Sequence, residues 1–180
     1  TLNHMFPFGH LLYEHFGASR LRLIHLIRHP VTCGRSTLVA EKDWGNGERF
    51  SELRPQEFIQ REDAATKAAN VWVKVNSMIR KQFEMIGNPD VCRVVRLEDV
   101  SVDLIDELFE FLQLKGFDEA RVRPLLEDQS HGVRHSHVGY HADRTVRTDE
   151  LETIAHVTRP LAETYGYDCS KPGWAKMLSE

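Results

Sequence analysis

LRLIHLIRHPVTCGRST, residues 21–37, says more about the fold than any other stretch of the sequence. Leu21–Ile27 is a short apolar run that ends just before a proline, and this pattern predicts a buried β-strand. The next segment, Val31–Glu41, predicts a helix, because Pro30 is tolerated in the first turn of a helix. The stretch therefore predicts a strand that leads directly into a helix.

Two residues of this stretch have the chemistry to hold an anion. Arg28 follows the predicted strand, and Ser36 lies eight positions later in the predicted helix. In open α/β sheets, ligands bind beyond the carboxyl ends of the strands. A helix that begins there points free N–H groups at the ligand, which favours a phosphate. Arg28 can offer a bidentate fork and Ser36 a hydroxyl hydrogen bond. By spacing alone, they can equally be a strand-end arginine and a solvated serine.

The rest of the sequence predicts one more strand and several helices. Val91–Leu97 is a second apolar run, and Ser101 can cap the helix that follows it. The other predicted helices are Gln56–Met85, Glu119–Glu127 and Asp149–Tyr165, with a short helix around Leu11–Phe16 and a polar loop at His131–Arg147. This order predicts an α/β fold, with mostly helical surroundings packed on a small parallel sheet, in a single partial domain over residues 1–180. Two strands do not complete such a sheet, so we expect the missing strands to lie outside this sequence or to be poorly formed within it.

Composition narrows the function classes. The 180 residues are 41% apolar and 28% charged, with a formal net charge of −4, which is ordinary for one globular domain. A nucleic-acid partner is not expected, because no basic balance or stripe is present. No apolar run approaches the ~20 residues of a membrane span. Three cysteines, an odd number without close spacing, predict free thiols, and with no visible signal peptide the expected location is cytoplasmic.

Five segments together resemble a known enzyme family. RHPVTCGRS (28–36) is similar to the 3′-phosphate-binding segment of sulfotransferases that use 3′-phosphoadenosine 5′-phosphosulfate (PAPS). VVRLEDV (94–100) resembles the family's "RYEDL" strand end, and the next helix resembles one that ends in "FLGL". Trp72 and Asn76 match a "W…N" helix, and Gly166–Tyr167 match a closing "GY". The sequence departs from the family pattern at Leu97 and Gln113, where Tyr and Gly are usual.

The resemblance implies a function and a set of ligand-binding residues. The implied fold is P-loop-like with three layers, and the implied activity is transfer of a sulfuryl group from PAPS, as co-substrate, to a hydroxyl or amine acceptor. Arg28 and Ser36 would hold the 3′-phosphate. A late loop would add Arg134, Ser136, Gly139 and Arg144, although Tyr140 and His141 stand where the family commonly has a basic residue and Trp.

The resemblance also implies a missing part and a catalytic base. The family's first loop, of the kind "PKSGTT", holds the 5′-phosphosulfate and has no counterpart here, so we expect the fold to be incomplete at its N-terminal third. A general base must take the proton of the acceptor hydroxyl. His4 lies close to where several family members place that base, and His10 is the competing candidate. A Glu in the missing segment is an equal alternative.

Other interpretations remain open at this stage. The chain can be a fragment of a P-loop-like nucleotide kinase, or a non-catalytic degenerate module that binds nucleotides or partners. No metal is expected, because the histidines of the late loop lack rigid support and a set of partner ligands. Glu98 and Asp99 are adjacent and would not converge on one substrate, and Asp99 is predicted to cap the following helix.

Overall fold

The computed structural model describes residues 8–44, 63–127 and 146–179. These residues form a mixed α/β arrangement that is mostly helical, with a two-stranded parallel sheet. In chain order the elements are α1 (Gly9–Phe16), β1 (Leu23–Ile27), α2 (Pro30–Trp44), α3 (Ala64–Ile86), β2 (Cys92–Arg96), a 3-10 turn (Leu97–Asp99), α4 (Val102–Phe111), α5 (Glu119–Glu127), α6 (Thr148–Ala162), a 3-10 turn (Glu163–Tyr165) and α7 (Lys171–Ser179).

Contacts between Cα atoms divide the chain into two compact units. The first unit comprises Thr1–Arg28 and Val75–Arg134, and the second comprises His29–Lys74 and His135–Glu180. The first unit therefore holds both strands with α1, α4 and α5, and the second holds α2, α6 and α7, while the long helix α3 contributes to both.

The sheet of the first unit brings two strand ends to the same edge. Strands β1 and β2 run parallel, in a register that pairs Leu23 with Cys92 and Ile27 with Arg96. Because both carboxyl ends finish together, Arg28 and Leu97 follow the strands at one edge of the sheet. Helix α4 begins after β2 with Ser101 as its N-cap, whose hydroxyl accepts the Leu104 N–H. This cap confirms the sequence prediction.

The packing of this sheet is uneven. His25 and Ile27 of β1 are buried, but Leu26 is 58% exposed and Val94 of β2 is 43% exposed. Helices α4 and α5 contain no fully buried residue. In α/β proteins both faces of a parallel sheet are normally covered. The described part of the first unit therefore leaves much of its apolar strand surface open to solvent.

Helix packing forms the core of the second unit. Helix α2 approaches α6 so closely at Gly34 that an added Cβ would lie 2.7 Å from Cδ1 of Ile154. A side chain at this position would therefore force Ile154 of the neighbouring helix to shift. Side chains buried almost completely in this unit include those of His29, Val31, Leu38, Ala69, Ile154, Thr158 and Ala162.

Element boundaries and one capping role differ from the sequence prediction. Both strands are shorter than predicted, because Leu21 and Leu97 fall outside the paired residues. Asp99 was predicted to cap α4, and this was wrong: Asp99 lies in the 3-10 turn and binds Arg96, while Ser101 caps the helix. The segment of α6 and the following 3-10 turn ends at Gly166, which has a left-handed backbone (φ 77°). Helix α7 was not predicted.

Candidate functional site

Arg28 occupies the position where an α/β sheet commonly meets its ligand. It follows β1 directly at the carboxyl edge of the parallel sheet, and its side chain is exposed. Ligands bind at this edge in open α/β sheets because helix N-termini and loops converge there. A guanidinium at this edge is able to make two parallel hydrogen bonds to phosphate oxygens.

The N-terminus of α2 is built by His29 and Pro30. The Val31 N–H donates to Nδ1 of His29 over 3.2 Å, so the imidazole caps the first turn in place of the usual Asp, Asn or Ser. Pro30 begins the helix, where its missing N–H costs nothing. His29 is fully buried, and its Nε2 donates to the Asp168 carbonyl over 3.2 Å. The His-Pro pair thus defines where α2 begins.

Ser36 lies in the second turn of α2, and its hydroxyl is engaged with the backbone. Its Oγ donates to the Thr32 carbonyl over 3.1 Å, while Thr32 Oγ1 donates to the His29 carbonyl over 2.9 Å. Such bonds to carbonyls three or four residues earlier are common for Ser and Thr in helices. To donate to a phosphate, the Ser36 hydroxyl must rotate away from Thr32. Arg28 belongs to the first unit and Ser36 to the second. Binding of one phosphate by both side chains therefore stays a prediction.

The sequence did not predict a buried pair of His25 and Asn76 in the first unit. His25 of β1 is 4% exposed, and its Nε2 lies 2.8 Å from Oδ1 of Asn76 on α3. The ring also meets Phe83 edge-on, with 6.1 Å between ring centroids. Burial lowers the pKa of His25 below its ordinary value, against the opposing effect of the Asn76 hydrogen bond. The sequence signal that could have predicted this burial is the position of His25 in β1, where buried and exposed residues alternate.

Arg96 and Asp99 form an ion pair at the end of β2. Arg96 holds Asp99 through two bonds, Nε to Oδ2 at 2.6 Å and an Nη2 bond to Oδ1 at 2.7 Å. The Arg96 hydrogen bond lowers the pKa of Asp99. The pair is exposed, and the two side chains neutralise each other. Asp99 is therefore an ion-pair partner at this sheet edge and has no role in starting α4.

Of the two candidate general bases, His10 lies among the described residues and His4 does not. His10 lies in the first turn of α1, where its Nδ1 is 2.7 Å from Oε1 of Gln82. His4 lies outside the described residues, as do the late-loop candidates Arg134, Ser136, Gly139 and Arg144. The predictions for these five residues remain predictions.

Among residues 8–44, 63–127 and 146–179, no three His, Cys, Asp or Glu side chains are grouped as metal ligands would be. No helix in the same ranges has both the length and the apolarity needed to cross a bilayer.

Comparison with known proteins gives no relative. No protein-family model matches the chain, no curated protein matches it, and no solved structure matches it. The function must therefore be argued from the residues and their geometry.

Proposed function

We propose that this chain is part of a PAPS-dependent sulfotransferase and supplies the side of the site that binds the 3′-phosphate of the nucleotide. The finer fold that goes with this proposal is an incomplete P-loop-like, three-layer arrangement. The reaction moves a sulfuryl group to a hydroxyl or amine acceptor. The acceptor oxygen or nitrogen forms a bond to sulfur, the bond from sulfur to the 5′-phosphate breaks, and adenosine 3′,5′-bisphosphate leaves.

One observation carries the proposal: Arg28 stands exposed at the carboxyl edge of two parallel strands that end in register. That edge is the usual ligand side of an α/β sheet. A guanidinium at that edge can make two parallel hydrogen bonds to phosphate oxygens.

The local structure around α2 supports the same interpretation. Its first turn begins with a buried His29 cap and Pro30, so the helix has a defined start two residues after Arg28. The dipole of a 15-residue helix places partial positive charge at that end. The Arg-His-Pro sequence that carries the resemblance is thus also the sequence that starts the helix.

Replacement of Arg28 tests the proposal. In the 180-residue chain, Arg28→Ala should weaken binding of adenosine 3′,5′-bisphosphate by about 1.5–3 kcal/mol, the value of a hydrogen bond to a charged group. This is roughly a 10- to 150-fold rise in Kd by titration calorimetry. Arg28→Lys should recover part of the affinity, because it keeps the charge but loses the fork.

The matched control is Arg20→Ala, which removes another exposed arginine from the same unit. Its bisphosphate affinity should equal that of the wild type, because a non-specific charge effect would be shared by both variants. Unchanged affinity in Arg28→Ala, with the circular dichroism spectrum of the wild type, would contradict the role given to Arg28.

A further inference from the structure

Strand β1 has one edge that faces away from its partner strand. In the described part of the chain only β1 and β2 pair, so each leaves one edge of the sheet without a neighbouring strand. The Leu23 N–H donates to the Val91 carbonyl over 2.7 Å, which fixes the alternation of the parallel ladder. The odd-numbered residues of β1 point their backbone groups at β2, whereas Ile24 and Leu26 point theirs away from it. The free edge thus offers the N–H and carbonyl groups of Ile24 and Leu26.

The side chains at this edge are apolar and open to solvent. Ile24 is 37% exposed and Leu26 is 58% exposed, and β1 contains no Lys, Arg, Asp, Glu or Pro. Edge strands commonly carry such residues as protection, because an unprotected edge is a template for pairing with another chain. Strand β2 has this protection, since Arg93 and Arg96 lie within it. The free edge of β1 is therefore the unprotected side of the sheet.

The sequence of β1, LIHLI, is nearly the same type of pattern in both directions. An antiparallel second copy centred on His25 places Ile24 opposite Leu26 of that copy, and every apolar residue of the strand opposite an apolar residue. Ile24 and Leu26 are also the residues with outward backbone groups, so each such pair exchanges both of its N–H···O bonds. A centre at Ile24 or at Leu26 would instead place an arginine opposite one of these apolar residues. The edge thus complements itself best in the register centred on His25.

We propose that the free edge of β1 binds a second copy of this chain, through antiparallel pairing of the two β1 strands about a two-fold axis at His25. Such a dimer uses the same surface on both copies and joins the two sheets into one, with the β1 strands at its centre. Two five-residue strands make a small contact, of the class below about 1,200 Å² that binds weakly. This dimer does not depend on the proposed function.

Charge opposes this dimer, and apolar contact with backbone hydrogen bonds drives it. Each copy has a formal net charge of −4, and the pairing brings Arg28 opposite Arg22 of the second copy. Arg22 is turned into its own chain, where its Nε donates to the Phe111 carbonyl over 3.2 Å. Added salt screens both repulsions. The dimer should therefore become tighter as the NaCl concentration rises, which is the reverse of an association driven by opposite charges.

Sedimentation equilibrium of the 180-residue chain measures the dimer. We expect a monomer–dimer equilibrium with a Kd below about 1 mM, and a lower Kd in high salt than in low salt. Leu26→Lys puts a charge into both halves of the contact and should raise the Kd about tenfold or more. The matched control is Leu125→Lys, which changes a leucine that is 62% exposed on α5 of the same unit and should keep the wild-type Kd. A chain that stays monomeric at about 1 mM, or equal weakening by both substitutions, would overturn the proposal.

Amide hydrogen exchange measured by NMR shows whether the dimer uses this edge. The Ile24 and Leu26 amides should exchange fast in the dilute monomer, because the ladder with β2 does not engage them. Their exchange should slow as the protein concentration and the fraction of dimer rise, since both amides then donate to the second copy. The Leu125→Lys protein should behave in the same way. A dimer in which the Ile24 and Leu26 amides exchange as fast as in the monomer has its contact elsewhere, and this result would contradict the pairing of β1.

Discussion

The two units differ in how completely they bury their own apolar side chains. In the second unit, Leu38 and Ile154 are at most 1% exposed. In the first unit, Leu26 and Val94 lie on paired strands and are 58% and 43% exposed. The second unit thus has a packed helical core, whereas the described part of the first has a sheet with much of its apolar surface uncovered. Arg28, the residue proposed to bind the phosphate, belongs to the less well packed unit.

The sharpest test of this difference compares Ile154→Ala with Leu26→Ala. Ile154 is completely buried, so its truncation should lower the free energy of unfolding by about 2–5 kcal/mol. Leu26→Ala should cost less than about 1 kcal/mol, because most of the side chain is already in water. Urea unfolding followed by circular dichroism measures both. Equal losses in the two variants would remove the contrast.

A second test adds a methyl group where α2 meets α6. Gly34→Ala should lower the free energy of unfolding by about 1–3 kcal/mol, because the new Cβ would meet Ile154 at 2.7 Å. All three tryptophans lie in the second unit, so fluorescence during urea unfolding reports this loss.

A double variant shows whether the Ile154 contact causes that loss. Ile154→Val removes Cδ1, the atom nearest to the added methyl, so Gly34→Ala should cost less in that background than in the wild type. Arg35→Ala, an exposed change on the same helix, should stay close to wild type. A Gly34→Ala loss that is the same in both backgrounds would mean that Ile154 is not the obstacle.

The smallest expected effect is a pH dependence from His25 in the first unit. Burial lowers its pKa in the folded chain below the ordinary value of 6.5. The unfolded chain therefore binds this proton more readily, and folding stability should fall as the pH drops below about 6.5. Above that pH, both states hold a neutral ring and the contribution vanishes.

Urea unfolding by circular dichroism at several pH values measures this slope. His25→Gln should flatten the part of the slope that His25 causes, whereas His156→Gln, which changes an exposed histidine, should keep the wild-type slope. A His25→Gln protein with the full wild-type slope would show that the proton uptake comes from other groups.

Much of the secondary structure was predictable because it depends on local signals. The apolar run before Pro30 predicted β1, and Ser101 predicted the start of α4. Helix α7 was missed because Lys171–Ser179 follows Gly166 and contains both proline and glycine. Its burial depends on tertiary contacts of Trp174, which is 5% exposed. Such contacts are invisible to a pattern of residue types.

The candidate site was less predictable than the fold. The sequence pointed to Arg28 because a cation after a strand is a local pattern. It could not link His10 to Gln82 or His25 to Asn76, since these partners lie 72 and 51 positions apart and meet only through the packing of α3. The role expected for Asp99 failed for a different and local reason, because Asp99 pairs with Arg96 three positions earlier and Ser101 caps the helix.

The central claim is recognition of a nucleotide 3′-phosphate at Arg28, and a competition titration tests it most directly. The 180-residue chain is titrated with adenosine 3′,5′-bisphosphate, with adenosine 5′-monophosphate and with ATP, each alone and in competition. The bisphosphate should bind more tightly than both other nucleotides, and Arg28→Ala should remove its advantage over the monophosphate. Tighter binding of ATP, or equal binding of the bisphosphate and the monophosphate, would contradict the claim.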